Sequence, residues 1–165
     1  MVIRYAMVAA VALGLASPLG AQDVGLAVGT RAPAAVVRDL DGRAVDLGSY
    51  LGHQPVVLEF WATWCPLCQA LEPALKAAHA RYGRTVRFLA IGVGVNQSPA
   101  SIKRHLTEHP LPFPVLFDGA GTAVRAYQAP TTSYIVVVDK AGLVTYTGTG
   151  TEQDIAGVLK KITDD

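Results

Sequence analysis

The chain has 165 residues, 51% of them hydrophobic and 16% charged, with a formal net charge of +1. That suits one packed domain and hardly two, and it argues against disorder. Lys and Arg are dispersed, with neither a basic stripe nor a polybasic cluster, which leaves no footing for nucleic-acid or membrane binding by bulk charge.

Taken in chain order, the first segment stands apart. Arg4, the short apolar run 5–16 and the helix breakers Ser17, Pro18 and Gly20 precede Ala21-Gln22. This is the layout of a secretory signal peptide cleaved after Ala21. A membrane span needs about 20 apolar residues, and this run is shorter. An uncleaved, Ala-rich anchor is the alternative, and both place the domain outside the cytoplasm, with the periplasm as the expected location. Residues 22–30 then read as a mixed linker, and 31–165 as a single domain.

Within that domain, residues 34–40 and 43–47 read as two short strands turning at Asp41-Gly42. Residues 55–61, Pro-Val-Val-Leu-Glu-Phe-Trp, form an apolar, β-branched run of the kind found in doubly covered central strands. Residues 65–81 read as a helix, with Leu67, Leu71, Leu75, Ala78 and Tyr82 at three- and four-residue steps, and with a kink expected at Pro73. Residues 85–95 make a second buried strand. A helix over 99–109 follows, with Ser98 as its N-cap and Pro99 in its first turn. A short extended piece spans 113–117 and a brief helix 119–127. Strands over 133–139 and 143–147 form a hairpin around Lys140-Ala141-Gly142, and a helix over 152–162 closes the chain. The βαβ middle and the hairpin-plus-helix end predict an α/β fold, a mixed central sheet with helices on both faces.

Cys65 and Cys68 are the only cysteines. A structural disulfide in an oxidising compartment normally closes a long loop, and this pair would close a tiny one. The spacing therefore fits chemistry better than stapling. Cys65 falls where the helix begins, so unpaired N–H groups and the positive end of the helix dipole would favour its thiolate and make it the nucleophile. Pro66 fixes the helix start. Cys68, one turn on, is expected to be the more buried, resolving thiol. Attack by Cys65 on a disulfide gives a mixed disulfide, and attack by Cys68 releases the reduced product. Glu59 interrupts an otherwise apolar strand. Burial should raise its pKa and suit it to take the Cys68 proton, unless it is simply a solvated Glu on an edge. Pro130, just ahead of a hydrophobic strand, is expected in the cis form, freeing the backbone of Ala129 to pair with a substrate peptide. Trp64, beside the nucleophile, is expected to line the partner surface. His105 and His109 have metal-compatible spacing, but without a nearby acid or Cys they read as a solvated or satisfied face, and neither His53 nor His79 has an evident partner.

The run Trp61-Ala62-Thr63-Trp64-Cys65-Pro66-Leu67-Cys68, the proline five residues later, Pro130-Thr131-Thr132 before a strand, and Asp139-Lys140-Ala141-Gly142 together resemble the thioredoxin superfamily. The opening Val28-Gly29-Thr30-Arg31-Ala32-Pro33 with Leu40-Asp41-Gly42-Arg43 narrows the resemblance to the TlpA/ResA branch of exported thiol-disulfide oxidoreductases, in the redoxin/AhpC-TSA group. It implies a thioredoxin-like fold with an N-terminal β-hairpin extension, Cys65 as nucleophile, Cys68 as resolving thiol, Pro130 as the cis-proline, and Glu59 at the buried acid position. It also implies a monomer without a cofactor beyond the Cys65–Cys68 pair, fed by a membrane electron donor and acting on exported protein thiols and disulfides. Cytochrome c maturation and copper-site assembly are the implied partner classes. The branch commonly carries an acid three residues after the second Cys. Here that position is Leu71, and Glu72 is expected to be turned about 100° off that face. Two alternatives stand beside this reading: a copper chaperone using the same thiolates, and a peroxiredoxin-like peroxidase, although Ala62 and Leu58 occupy the positions where a peroxidase places its Thr or Ser and its Pro.

Overall fold

The computed structural model describes residues 25–164, so the expected signal peptide and residues 22–24 lie outside the described residues. Seven strands, β1 (Val36–Asp39), β2 (Ala44–Asp46), β3 (Val56–Trp61), β4 (Arg87–Val93), β5 (Val115–Asp118), β6 (Tyr134–Val138) and β7 (Val144–Gly148), form one sheet in the order β2-β1-β5-β4-β3-β6-β7. Four helices, α1 (Pro66–Tyr82), α2 (Pro99–Glu108), α3 (Thr122–Ala126) and α4 (Ile155–Thr163), pack around it, and one 3₁₀ turn spans Leu47–Tyr50. The expected α/β architecture is present.

The reason β3 takes the middle lies in its residues. All six are buried, and the strand is bonded on both sides, parallel to β4 and antiparallel to β6. A run this apolar is stable only where both faces are covered. The N-terminal hairpin turns at Gly42, whose φ of +89° suits glycine, and β1 docks antiparallel on β5.

Alternation along β3 sorts the layers. Phe60 points to one face, where its ring meets Tyr127 and Tyr134 at centroid distances of 5.6 and 5.7 Å. Glu59 and Trp61 point to the other, toward α1 and α2. The steps β3–α1–β4 and β4–α2–β5 move in one direction across the sheet, so right-handed crossovers place both helices on one face. α4 packs against α1, and α3 lies against β1 and β5. In α1 the periodic residues Leu71, Leu75, Ala78 and Tyr82 are buried as expected. Leu67 is not: it is 49% exposed, although Cys65 and Cys68 beside it are buried. Pro73 is exposed, in a helix that continues to Tyr82.

The described part of the expected linker is built into the domain. Leu26 is buried and its N–H donates to the Tyr134 hydroxyl at 3.0 Å. Gly29 N–H donates to Val144 O at 2.7 Å, and Val144 N–H to Thr30 O at 2.8 Å. Packing therefore begins near Leu26 rather than at Arg31, because β7 has a free edge that this segment covers. No helix of the described residues is long and apolar enough to cross a membrane.

Candidate active site

Parallel strands β3, β4 and β5 end together at Trp61, Val93 and Asp118, and chemistry in such sheets gathers beyond the carboxyl ends of the strands. After Trp61 the chain turns once and Cys65 becomes the N-cap of α1, with extended backbone (φ −91°, ψ 107°). Its sulfur accepts the Cys68 N–H at 3.1 Å. Cys65 and Cys68 are joined as a disulfide, their Cα atoms 5.3 Å apart. Pro66 sits in the first helical turn, where a missing N–H costs nothing. On reduction, the same N–H groups and helix dipole face the Cys65 sulfur, the setting that favours a thiolate.

Burial does not separate the two sulfurs. Cys65 is 2% exposed and Cys68 4%, so the expectation that Cys68 is the more buried does not hold in the disulfide form. One bond closes both side chains into the same turn. What separates them is position, Cys65 at the cap and Cys68 inside the helix.

The loop carrying the cysteines is cross-braced to the loop after β4. Gln97 accepts from Thr63 N–H at 3.0 Å through Oε1, and its Nε2 donates to Val93 O at 2.7 Å and to Trp61 O at 3.4 Å. Trp64 Nε1 donates to Val95 O at 2.8 Å. The indole is thereby held out, 45% exposed, at the rim of a groove of about 500 Å³ that Ala129, Pro130, Thr131 and Thr132 line from the other side. Pro66 lies outside that lining, exposed beside it.

Pro130 overturns an expectation. Among the described residues every peptide bond is trans, Ala129–Pro130 included. The chain reverses between α3 and β6 through left-handed backbone at Gln128 (φ +50°) and Ser133 (φ +60°), and the sheet ladder begins only at Tyr134. Those two residues supply the turn that a cis bond would have supplied. The Ala129 N–H is also taken, donating to Val124 O at 2.9 Å.

On the opposite side of the disulfide, Glu59 is 4% exposed in the central strand, which removes the edge-facing alternative. Burial, reinforced by the charge of Glu72, pushes its carboxyl up to about 8. Glu59, Cys68, Glu72, His105 and His109 line one small pocket of about 10 Å³. Glu72 therefore does face the site, contrary to expectation, because Cys68 and Glu72 are four residues apart on one helix and share a face. The histidines are not merely solvated: the His105 and His109 rings stack at 4.7 Å, and His105 lies 5.9 Å from the Trp61 ring. His79 also has partners, the rings of Phe88 at 5.2 Å and Phe113 at 5.4 Å. Gln97 carried no sequence signal. The Cys68–Glu72 spacing was one.

A cysteine pair at a helix cap, with a raised carboxyl behind it and an apolar groove bordered by the adjacent Trp64, suits disulfide exchange. Residues 28–147 match the AhpC/TSA family. The chain belongs to the AhpC/TSA family. Among curated members it resembles the thiol-disulfide oxidoreductase ResA of Geobacillus thermodenitrificans, 30% identical over 164 residues, covering 98% of this chain and 92% of the relative. Among solved structures it resembles a secreted disulfide oxidoreductase of Mycobacterium tuberculosis, 26% identical with a TM-score of 0.65, covering 76% and 94% of the two chains. The thioredoxin domain of a Bacteroides vulgatus thiol-disulfide oxidoreductase shares the fold, with a TM-score of 0.71 at 20% identity over 82% of this chain and 97% of that one. Within the AhpC/TSA family this chain is a thioredoxin-like thiol-disulfide oxidoreductase with Cys65 and Cys68 as its pair.

Proposed function

We propose that the chain is an exported, periplasmic reductant of protein disulfides. The observation that carries the exchange chemistry is the Cys65–Cys68 disulfide at the cap of α1, beside the Trp64 groove. Export is supported by the charged, apolar and small-residue order of residues 1–21 and by a relative described as secreted. In the reduced chain, Cys65 Sγ attacks a substrate disulfide and one substrate sulfur leaves as thiolate. Cys68 then gives its proton to Glu59 and attacks Cys65 Sγ. A Cys65–Cys68 bond forms, the mixed disulfide breaks, and two electrons have passed to the substrate. A carboxyl raised to about 8 holds a proton far more firmly than an ordinary carboxylate, which suits it to take one from a thiol. Trp64, Ala129 and Pro130 would receive the substrate segment, with Pro66 exposed beside them. A membrane electron donor would restore the dithiol, and proteins of cytochrome c maturation or copper-site assembly are the substrates this reading favours. The chain would act as a monomer with no cofactor other than its own pair.

The peroxidase alternative has less support, since Ala62 and Leu58 are buried and apolar where a peroxide-polarising hydroxyl and proline would stand. The deciding measurement is the potential of the Cys65–Cys68 pair against glutathione. A value near that of thioredoxin, about −270 mV, supports the reductant, and one near about −120 mV, as in a strong oxidant, overturns it. Cys68→Ser should trap mixed disulfides on non-reducing gels and Cys65→Ser should not. The reverse pattern would exchange the two roles.

A further inference from the structure

If Glu59 takes the Cys68 proton, as proposed above, that proton must be exchanged with solvent from a carboxyl that is only 4% exposed. Nothing in the protein helps it from within the strand: the groups acting on Glu59 are its own burial and the charge of Glu72, with no hydrogen bond among them. Among the described residues it borders a small pocket, walled by Trp61 from β3, by Cys68, Gln69 and Glu72 from α1, by His105 from α2 and by His109 at the end of that helix. Its volume of about 10 Å³ matches the space that a single water requires. Beyond it, burial falls in order: Glu59 is buried, His105 half-buried and His109 exposed. At the mouth the His109 ring stacks on the His105 imidazole at 4.7 Å, and the Trp61 ring lies 5.9 Å from it at a tilt.

We propose that His105 is the residue through which Glu59 exchanges its proton with solvent, across the pocket that both line. In the step itself the Cys68 S–H bond breaks and a Glu59 O–H bond forms. The path matters before closure: near neutral pH Glu59 already holds a proton, which must leave before Glu59 can accept from Cys68. Its O–H breaks, the proton passing through a water in the pocket to the free imidazole nitrogen of His105 and on to solvent directly or past His109. No electrons move in this leg. The groups that face His105 are Glu59 from β3, Glu72 with its ion-pair partner Lys76 from α1, and Arg104, Glu108 and His109 from its own helix. Burial and His109 lower its pKa, against the opposing pull of Glu72 and Glu108, so the ring is neutral and able to accept near neutral pH. Glu72 is less suited to the task, because its carboxylate is engaged by Lys76.

The test uses the full chain, reduced and mixed with oxidised glutathione, with acid-quenched samples read by mass spectrometry. Formation of the glutathionylated intermediate reports attack by Cys65, and its decay reports closure by Cys68. In dilute, non-imidazole buffer, His105→Ala and His105→Gln should leave formation unchanged and slow decay by about tenfold, the low side of what a placed proton-transfer group contributes. Added imidazole should restore decay in His105→Ala, which a purely structural role would not allow. Decay at the wild-type rate in both variants, a slow decay that imidazole does not restore, or slowing by Glu72→Gln alone would each overturn the relay. Glu59→Gln separates the two readings. Slow decay there with normal decay in the His105 variants refutes only the relay, whereas unchanged decay in Glu59→Gln refutes the role of Glu59 and the relay with it.

Discussion

Glu59 shows how one residue carries a cost set by its place in the sheet. An acid in the middle of a six-residue buried strand loses its hydration, and the nearby Glu72 charge adds to the penalty on ionising it. Its folded pKa, about 8, stands above an ordinary value of 4.5. Between those values the native chain holds a proton that the unfolded chain has released. Stability from this group is thus full below pH 4.5 and falls as pH rises toward 8, by about 1.4 kcal/mol per pH unit. Thermal melts of the oxidised protein should therefore show a melting temperature that declines from pH 5 to pH 8 more steeply in the wild type than in Glu59→Gln. Equal slopes would show that Glu59 ionises like an exposed acid. The same variant should flatten the pH dependence of the closure step, which in the wild type should rise as Glu59 ionises.

Among the elements, the turn between β3 and α1 depends on a partner far along the chain. Gln97 satisfies the Thr63 N–H while its amide nitrogen grips two carbonyls at the ends of β3 and β4, and Trp64 returns a bond to Val95 O. The loop carrying Cys65 is thereby held by side chains rather than by the sheet ladder. Gln97→Ala leaves the Thr63 N–H unpaired, and the loss should be about 1–3 kcal/mol, measurable as a lower melting temperature. Alkylation of Cys65 in the reduced protein should also slow, because the sulfur is no longer held at the helix end. Gln97→Glu keeps an acceptor for Thr63 and should retain more of the alkylation rate than Gln97→Ala. If the two variants react alike, the brace to Thr63 is not what positions the sulfur.

The whole molecule decides what lies in front of the disulfide. The groove forms where loops after β4 and β5 come close, and Gly94 permits it: a Cβ there would sit 2.7 Å from the carbonyl oxygen of Gly119, a backbone atom with no room to yield. Gly94→Ala should thus force those loops apart at a cost of about 1–3 kcal/mol. Because Val93 and Val95 also carry the Gln97 and Trp64 braces to the Cys65 loop, reduction of oxidised glutathione should fall somewhat, and reduction of a folded protein disulfide should fall further. Equal losses on both substrates would argue that protein partners do not use the groove.

The order of strands and helices, the central place of residues 56–61, the helix start at Cys65 and the pairing with Cys68 were legible in the chain alone, because hydrophobic period, proline position and a two-residue spacing are local signals. Ser98 and Pro99 likewise announced α2, whose capping box is formed with Ser101. The trans bond at Pro130, the equal burial of the two sulfurs, the Gln97 brace and the pocket joining Glu59 and Cys68 to Glu72, His105 and His109 were not. The Gln97 brace and the histidine side of the pocket are set by residues 30 or more positions apart, the trans bond by competition between backbone conformations in one turn, and the equal burial by the closed disulfide. The distant contacts exist only once the sheet has brought β3, α1 and α2 together. Local chemistry thus specified the reactive pair, and packing alone chose the groups that surround it.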